Sequence, residues 1–119
     1  MNVHVSLTKE QVAQEFAQYL VSLSKEQEVL HIALSGGSTP KIVFDLLASR
    51  YKDLDWSKFH FYWGDERCVD PSDAQSNYKM TVDHLFSKIS IPEENIHRIY
   101  GENDPQLEAI RYADLLEKN

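Results

Sequence analysis

Apolar residues at Val12, Phe16, Tyr19, Leu20 and Leu23 recur at helical spacing. Thr8 stands three residues before Gln11, the spacing of a capping box. Together they predict an amphipathic helix over residues 9–24, with a short strand at Val3 and Val5 before it and a polar turn at 25–28 after it. Residues 29–34 (VLHIAL) are almost uninterruptedly apolar and stop sharply at Ser35-Gly36-Gly37. A short apolar run with so abrupt an end predicts a buried parallel strand. Thr39-Pro40 then offers an N-cap followed by proline at the first helical position. Ile42, Val43, Leu46 and Leu47 supply the stripe of a helix reaching Arg50. Strand, glycine turn and capped helix make the first half of a βαβ unit.

A polar link at 53–58 holds Trp56 and leads to the aromatic run FHFYW at 59–63, which predicts a second strand. A strand that follows a strand–helix pair pairs in parallel through a right-handed crossover. Residues 65–75 read as a polar loop. Ser76 is the expected cap of a helix over 77–87, with Tyr78, Thr81, Val82, Leu85 and Phe86 facing inward. Residues 96–100 are a candidate third strand. Asp104-Pro105 repeats the cap-plus-proline signal and opens a helix that uses Leu107, Ile110, Leu115 and Leu116. The fold class is therefore α/β, a three-layer Rossmann-like parallel sheet flanked by helices. Two firm strands are too few to bury both faces of such a sheet. Residues 1–119 accordingly read as the N-terminal portion of a single α/β domain, incomplete by itself.

Composition narrows the function. The chain is 42% hydrophobic and 26% charged, the balance of a soluble globular protein. It contains no apolar run long enough to span a membrane and no secretory leader pattern, so cytoplasm is the default location. A single cysteine, Cys68, excludes an internal disulfide framework and a multi-cysteine metal site. The net charge of −7 argues against a nucleic-acid partner, which calls for a basic face. It leaves room for a small anion held by backbone N–H groups.

The two strand ends carry the candidate chemistry. Glycines in Ser35-Gly36-Gly37-Ser38-Thr39-Pro40 permit close backbone approach. Ser38 and Thr39 add hydroxyls, and the following helix aims its positive end at the turn, so a phosphate can sit there without a lysine. Neither G-x-x-x-x-G-K-[ST] nor G-x-G-x-x-G occurs, which removes the Walker and dinucleotide-binding readings. By residue types alone, a plain tight turn into a capped helix explains the segment equally well. Asp65-Glu66-Arg67 ends the second strand on the same sheet edge. There Arg67 is suited to a bidentate anion clamp, and Asp65 to orienting a hydroxyl or moving a proton. Taken alone, a local Asp–Arg or Glu–Arg ion pair is the better explanation of that turn.

Both turns in this order are more specific than either one. With Leu34-Ser35-Gly36-Gly37-Ser38-Thr39-Pro40, Trp56, Trp63-Gly64-Asp65-Glu66-Arg67-Cys68-Val69, Ser76-Asn77-Tyr78, Ile91-Pro92 and Ile96-His97, the chain resembles the 6-phosphogluconolactonase and glucosamine-6-phosphate isomerase family over about residues 30–100. Arg67 followed by Val69 looks like the lactonase branch; the deaminase branch tends to carry tyrosine in place of Arg67. The resemblance implies hydrolysis of 6-phospho-D-glucono-1,5-lactone to 6-phosphogluconate in the oxidative pentose phosphate pathway, with no metal or organic cofactor and a small sugar phosphate as ligand. It implies that Gly36, Gly37, Ser38 and Thr39 line the sugar-phosphate site, that Arg67 binds the anionic end of the substrate, and that Asp65 sits in the catalytic pocket. The general-base histidine of family lactonases lies in a later Gly-x-Gly-x-Asp-Gly-His segment, which does not occur here. This chain alone is therefore expected to be inactive. A glucosamine-6-phosphate deaminase and a non-catalytic sugar-phosphate-binding module are the alternatives.

Other candidates have plainer explanations. His4, His31, His60, His84 and His97 are not assigned to catalysis, Cys68 is a passive thiol, the aromatic run packs a core, and Asp65, Glu66, Asp70 and Asp73 lack the spacing of a calcium loop.

Overall fold

The computed structural model describes residues 8–118, so the expected strand at Val3 and Val5, and His4, lie outside the described residues. Helix α1 spans Lys9–Glu26, capped by Thr8, whose side chain accepts from the Gln11 amide at 3.1 Å. Strand β1 is Leu30–Leu34, α2 is Ser38–Arg50 and β2 is Phe59–Trp63. The strands pair in parallel, with Leu30 opposite Phe59, Ile32 opposite Phe61 and Leu34 opposite Trp63. This is the βαβ unit that the apolar runs predict. Helices α3 (Asn77–His84) and α4 (Pro105–Lys118) complete the chain. Among the described residues, no helix is long and apolar enough to cross a membrane.

Leu30, Ile32 and Leu34 of β1 join Val43, Phe44 and Leu47 of α2, Ala13, Ala17 and Leu20 of α1, and Phe59, Phe61 and Trp63 of β2 in one core. Trp56 joins it from the link before β2: its ring lies 4.7 Å from that of Phe59, tilted by 46°, and its indole N–H donates to the Lys52 carbonyl. The polar link before β2 is thus pinned by one aromatic side chain.

Three expectations need correction. The helix over 77–87 stops at His84, and residues 86–88 form a separate 3-10 turn. Adjacent residues on a continuous helix point about 100° apart, yet Leu85 and Phe86 are both buried. The break at Leu85 lets both turn inward. The third strand contracts to a single parallel bridge between Phe61 and Ile96, closed by the His97 amide on the Phe61 carbonyl at 2.9 Å. Beyond it, Arg98 leaves the ladder to pair with Glu102. The inward faces of the outer helices also differ. Val12, Phe16 and Tyr19 of α1 are exposed while Ala13 and Ala17 are buried, because α1 lies close upon α2 through its small residues. In α4, Leu107 and Ile110 are 68% and 69% exposed, and Glu108 and Tyr112 are buried instead. Glu108 accepts from the Tyr100 amide at 2.6 Å and from Arg111, and Tyr112 donates to the His97 carbonyl and accepts from the Trp63 amide. Hydrogen bonds, not the apolar stripe, orient this helix.

The alternate side chains of the strands carry a histidine stack. His31 sits beside His60 across the ladder, His60 Nδ1 is 3.2 Å from His97 Nε2, and His31 Nδ1 is 3.0 Å from the Tyr62 hydroxyl. Burial first, and neighbouring imidazoles second, hold His60 and His97 below the ordinary histidine value of 6.5. The fold therefore favours their neutral forms. Their contribution is complete above that unfolded value and is lost as pH falls from it through the lower folded values. Urea unfolding is expected to show stability dropping as pH falls below about 6.5, and a flatter profile in the H60Q/H97Q variant. A wild-type profile with no slope in that window would refute the coupling.

Candidate functional site

Both predicted turns lie at the carboxyl ends of the parallel strands, where ligands of open α/β sheets bind. Gly37 is the N-cap of α2 with φ of 112°. That left-handed backbone suits glycine and strains any residue with a Cβ. Thr39, expected as the cap, lies instead within the first turn of α2, which begins at Ser38. Glycine has no side chain to cap with, and the first turn contains no acidic residue. Elsewhere, Thr8 caps α1, Ser76 caps α3 and Asp104 accepts from the Leu107 amide of α4. The positive end of α2 is thus left open at the turn that the glycines shape.

A cation reaches this turn from a distant part of the chain. Lys9, at the start of α1, donates to Ser38 Oγ at 2.8 Å. Sequence reading passed it over, since nothing in local spacing joins a lysine to a serine 29 positions later. Packing of α1 on α2 makes the meeting.

The second turn is built differently from its expected ion pair. Glu66 turns toward α3 instead of the Arg67 guanidinium. Its Oε1 accepts from the amides of Arg67 at 2.8 Å and Asn77 at 2.7 Å. Its Oε2 accepts from Ser76 Oγ at 2.8 Å and the Tyr78 amide at 3.0 Å. A carboxylate on the first turn of a helix satisfies orphan amides and complements the dipole. Asp65 and Arg67 are left exposed on either side of this anchor, with no side-chain hydrogen bond or ion pair among the described residues. Arg67 is also braced from behind by Gly101: a Cβ there would meet the Arg67 carbonyl and fall 2.9 Å from that of Val69.

The two turns are joined. The Gly64 amide donates to the Leu34 carbonyl at 3.0 Å, fastening the strand ends. Asn77 is buried, lies against Gly36, and donates its amide to the Asp65 carbonyl at 3.3 Å. The structure therefore brings Gly36, Gly37, Ser38 and Thr39 together with the 65–67 turn, and adds Lys9, Glu66 and Asn77.

The remaining candidates stand apart from this site. Asp70 and Asp73 fold their own loop, accepting from Ser72 and Gln75. The Ser72 hydrogen bonds hold Asp70 below the usual carboxylate range. No group of three His, Cys, Asp or Glu side chains able to hold a metal occurs among the described residues. Cys68 is exposed. His84 pairs with Asp45 at 2.7 Å, and His31, His60 and His97 belong to the stack on the strands.

A parallel strand pair joined through a helix, with a glycine turn at the helix N-terminus, defines an α/β protein. The chain belongs to the family described as glucosamine-6-phosphate isomerases/6-phosphogluconolactonase, which it matches over residues 5–119. It is 49% identical over 109 residues to the 6-phosphogluconolactonase of Haemophilus influenzae, covering 90% of this chain and 45% of that protein. Among solved structures, a crystal structure titled devB protein superposes with a TM-score of 0.87 at 51% identity, covering 91% of this chain and 46% of that one. The 6-phosphogluconolactonase of Thermotoga maritima superposes with a TM-score of 0.81 at 26% identity, covering 92% of this chain and 50% of that one. The chain spans about half the length of these relatives.

Proposed function

We propose that this chain supplies the phosphate-binding part of a 6-phosphogluconolactonase, which hydrolyses 6-phospho-D-glucono-1,5-lactone to 6-phosphogluconate. The observation that carries the reading is the open N-terminus of α2, held beside the Arg67 turn. The amides at Gly36, Gly37, Ser38 and Thr39 and the two hydroxyls receive the phosphate, and the Lys9 ammonium on Ser38 adds the charge that backbone dipoles lack. Arg67 has a free guanidinium for a substrate oxygen, and Asp65 is exposed on the same turn. In the reaction, water adds to the lactone carbonyl, the bond from that carbon to the ring oxygen breaks, and the ring oxygen takes a proton. Such a step needs a base near neutral pH and donors for the oxyanion. Neither turn contains a histidine, so these residues bind and orient substrate while the base comes from outside this segment. The small sugar phosphate is the partner, and the cytoplasm is the proposed location.

The full-length protein is expected to hydrolyse the lactone well above its spontaneous rate, and the 119-residue chain is not. Ammonia release from glucosamine 6-phosphate by the full-length protein would favour the deaminase instead. Tight binding of 6-phosphogluconate by the 119-residue chain, without turnover in the full-length protein, would favour a sugar-phosphate-binding module. Within the lactonase reading, R67A is expected to raise KM by about tenfold to a hundredfold, the range for losing a charged hydrogen bond of about 1.5–3 kcal/mol. An unchanged KM would remove Arg67 from the substrate.

A further inference from the structure

We propose that Asn77 is a positioning residue that sets the distance between the glycine turn and the 65–67 turn while touching no substrate itself. The inference rests on the reading of these turns as one sugar-phosphate site. Asn77 is the first residue of α3 and is only 7% exposed. Its amide nitrogen donates to the Asp65 carbonyl at 3.3 Å. The other side of the same amide fills the space in front of Gly36, where a Cβ would fall 2.9 Å from Asn77 Cγ and closer still to Oδ1. One planar group is therefore seated between the two turns.

Its own placement is fixed from three directions. The Asn77 backbone amide is held by Glu66 at 2.7 Å, and its carbonyl receives the buried Thr81 hydroxyl at 3.0 Å. Ser76 before it is capped onto the Lys79 amide and bound to Glu66. A side chain so fixed acts as a spacer: a change in its length moves one turn relative to the other. The absence of a side chain at Gly36 then has a specific cause. Gly36 does not have a positive φ, so it is glycine because the Asn77 amide occupies the place of its Cβ.

This spacing matters to a ligand that engages both turns and not to one that engages a single turn. Inorganic phosphate probes the glycine turn alone, and 6-phosphogluconate reaches from it to Arg67 and Asp65. In the full-length protein, N77A is expected to weaken 6-phosphogluconate binding by about tenfold or more, the cost of misalignment at a distance, while inorganic phosphate binding is unchanged. L85A supplies the structural control. Leu85 is buried at the far end of α3 from Asn77, and its truncation is expected to lower thermal stability while sparing both ligands. Parallel losses of both ligands in N77A, or the same selective loss in L85A, would overturn the proposal.

A second measurement needs no ligand. G36A is expected to lower the melting temperature when Asn77 is present and much less when residue 77 is alanine, since the clash is then relieved. Equal losses in the two backgrounds would refute the contact. If the wild-type protein bound neither ligand, the proposed function would fall, and this pair of melting curves would still decide whether Asn77 joins the turns.

Discussion

Replacing Phe61 by alanine is expected to lower the unfolding free energy by about 3–5 kcal/mol, the range for a buried phenyl removed from a packed core. Phe61 is 1% exposed. Its ring stacks on Phe59 at 6.0 Å, meets Phe86 at 5.2 Å and lies 6.4 Å from Trp56. Its backbone also carries the parallel bridge to Ile96 and accepts from the His97 amide. The lost volume thus falls where β1, β2 and the segment after α3 converge. Denaturant unfolding of the full-length protein measures the effect. A loss below about 1.5 kcal/mol, nearer to that of a partly exposed side chain, would mean that this convergence does not form.

Replacing Glu66 by alanine is expected to cost about 2–3 kcal/mol and to impair the site more than the fold. The first figure follows from removing a charged acceptor from a helix N-terminus, where a cap alone is worth about 1–2 kcal/mol and hydrogen bonds to a charged group are worth more. The carboxylate accepts from Arg67, Ser76, Asn77 and Tyr78, and water can replace it only in part because Ser76 and Asn77 are buried. Without it, the 65–67 turn loses its anchor to α3, and Arg67 loses a defined position. Binding of 6-phosphogluconate is expected to fall by about a hundredfold, as for a misplacement of order 1 Å. E66Q keeps the shape and weakens the acceptors, so an intermediate value is the expected result. Calorimetric titration of the three proteins checks the order, and equal affinities would remove the anchor from the site.

The parts of the fold that were legible in the sequence are those whose signal is local. The apolar run before Ser35, the aromatic run before Gly64 and the caps at Thr8, Ser76 and Asp104 each act within a few residues. Their strands appear where the pattern puts them, and their helices begin there. The inward faces of α1 and α4 were not legible, because hydrophobicity marks which residues prefer burial and not which neighbour arrives to bury them. The small side chains of Ala13 and Ala17 admit α2, and the polar groups of Glu108 and Tyr112 bind backbone that lies far away in sequence. The site divides the same way. Glycines and hydroxyls at 36–39 and the Arg67 turn announce themselves by residue type. Lys9 is hidden by its distance from Ser38. Glu66 was read as an ion-pair partner because an adjacent arginine is the nearest cation, yet two amides of α3 and a serine hydroxyl offered a more complete shell.

The Glu66 anchor gives the ligand-free protein a built-in reporter. The opening amides of a helix have no carbonyl partner within it and exchange their hydrogens readily. Those of Asn77 and Tyr78 are instead bonded to a carboxylate from the neighbouring loop. Their exchange rates thus record how often the 65–67 turn leaves α3, and so how often the site opens. Two peaks in a hydrogen-exchange spectrum would follow the readiness of the site with no substrate added.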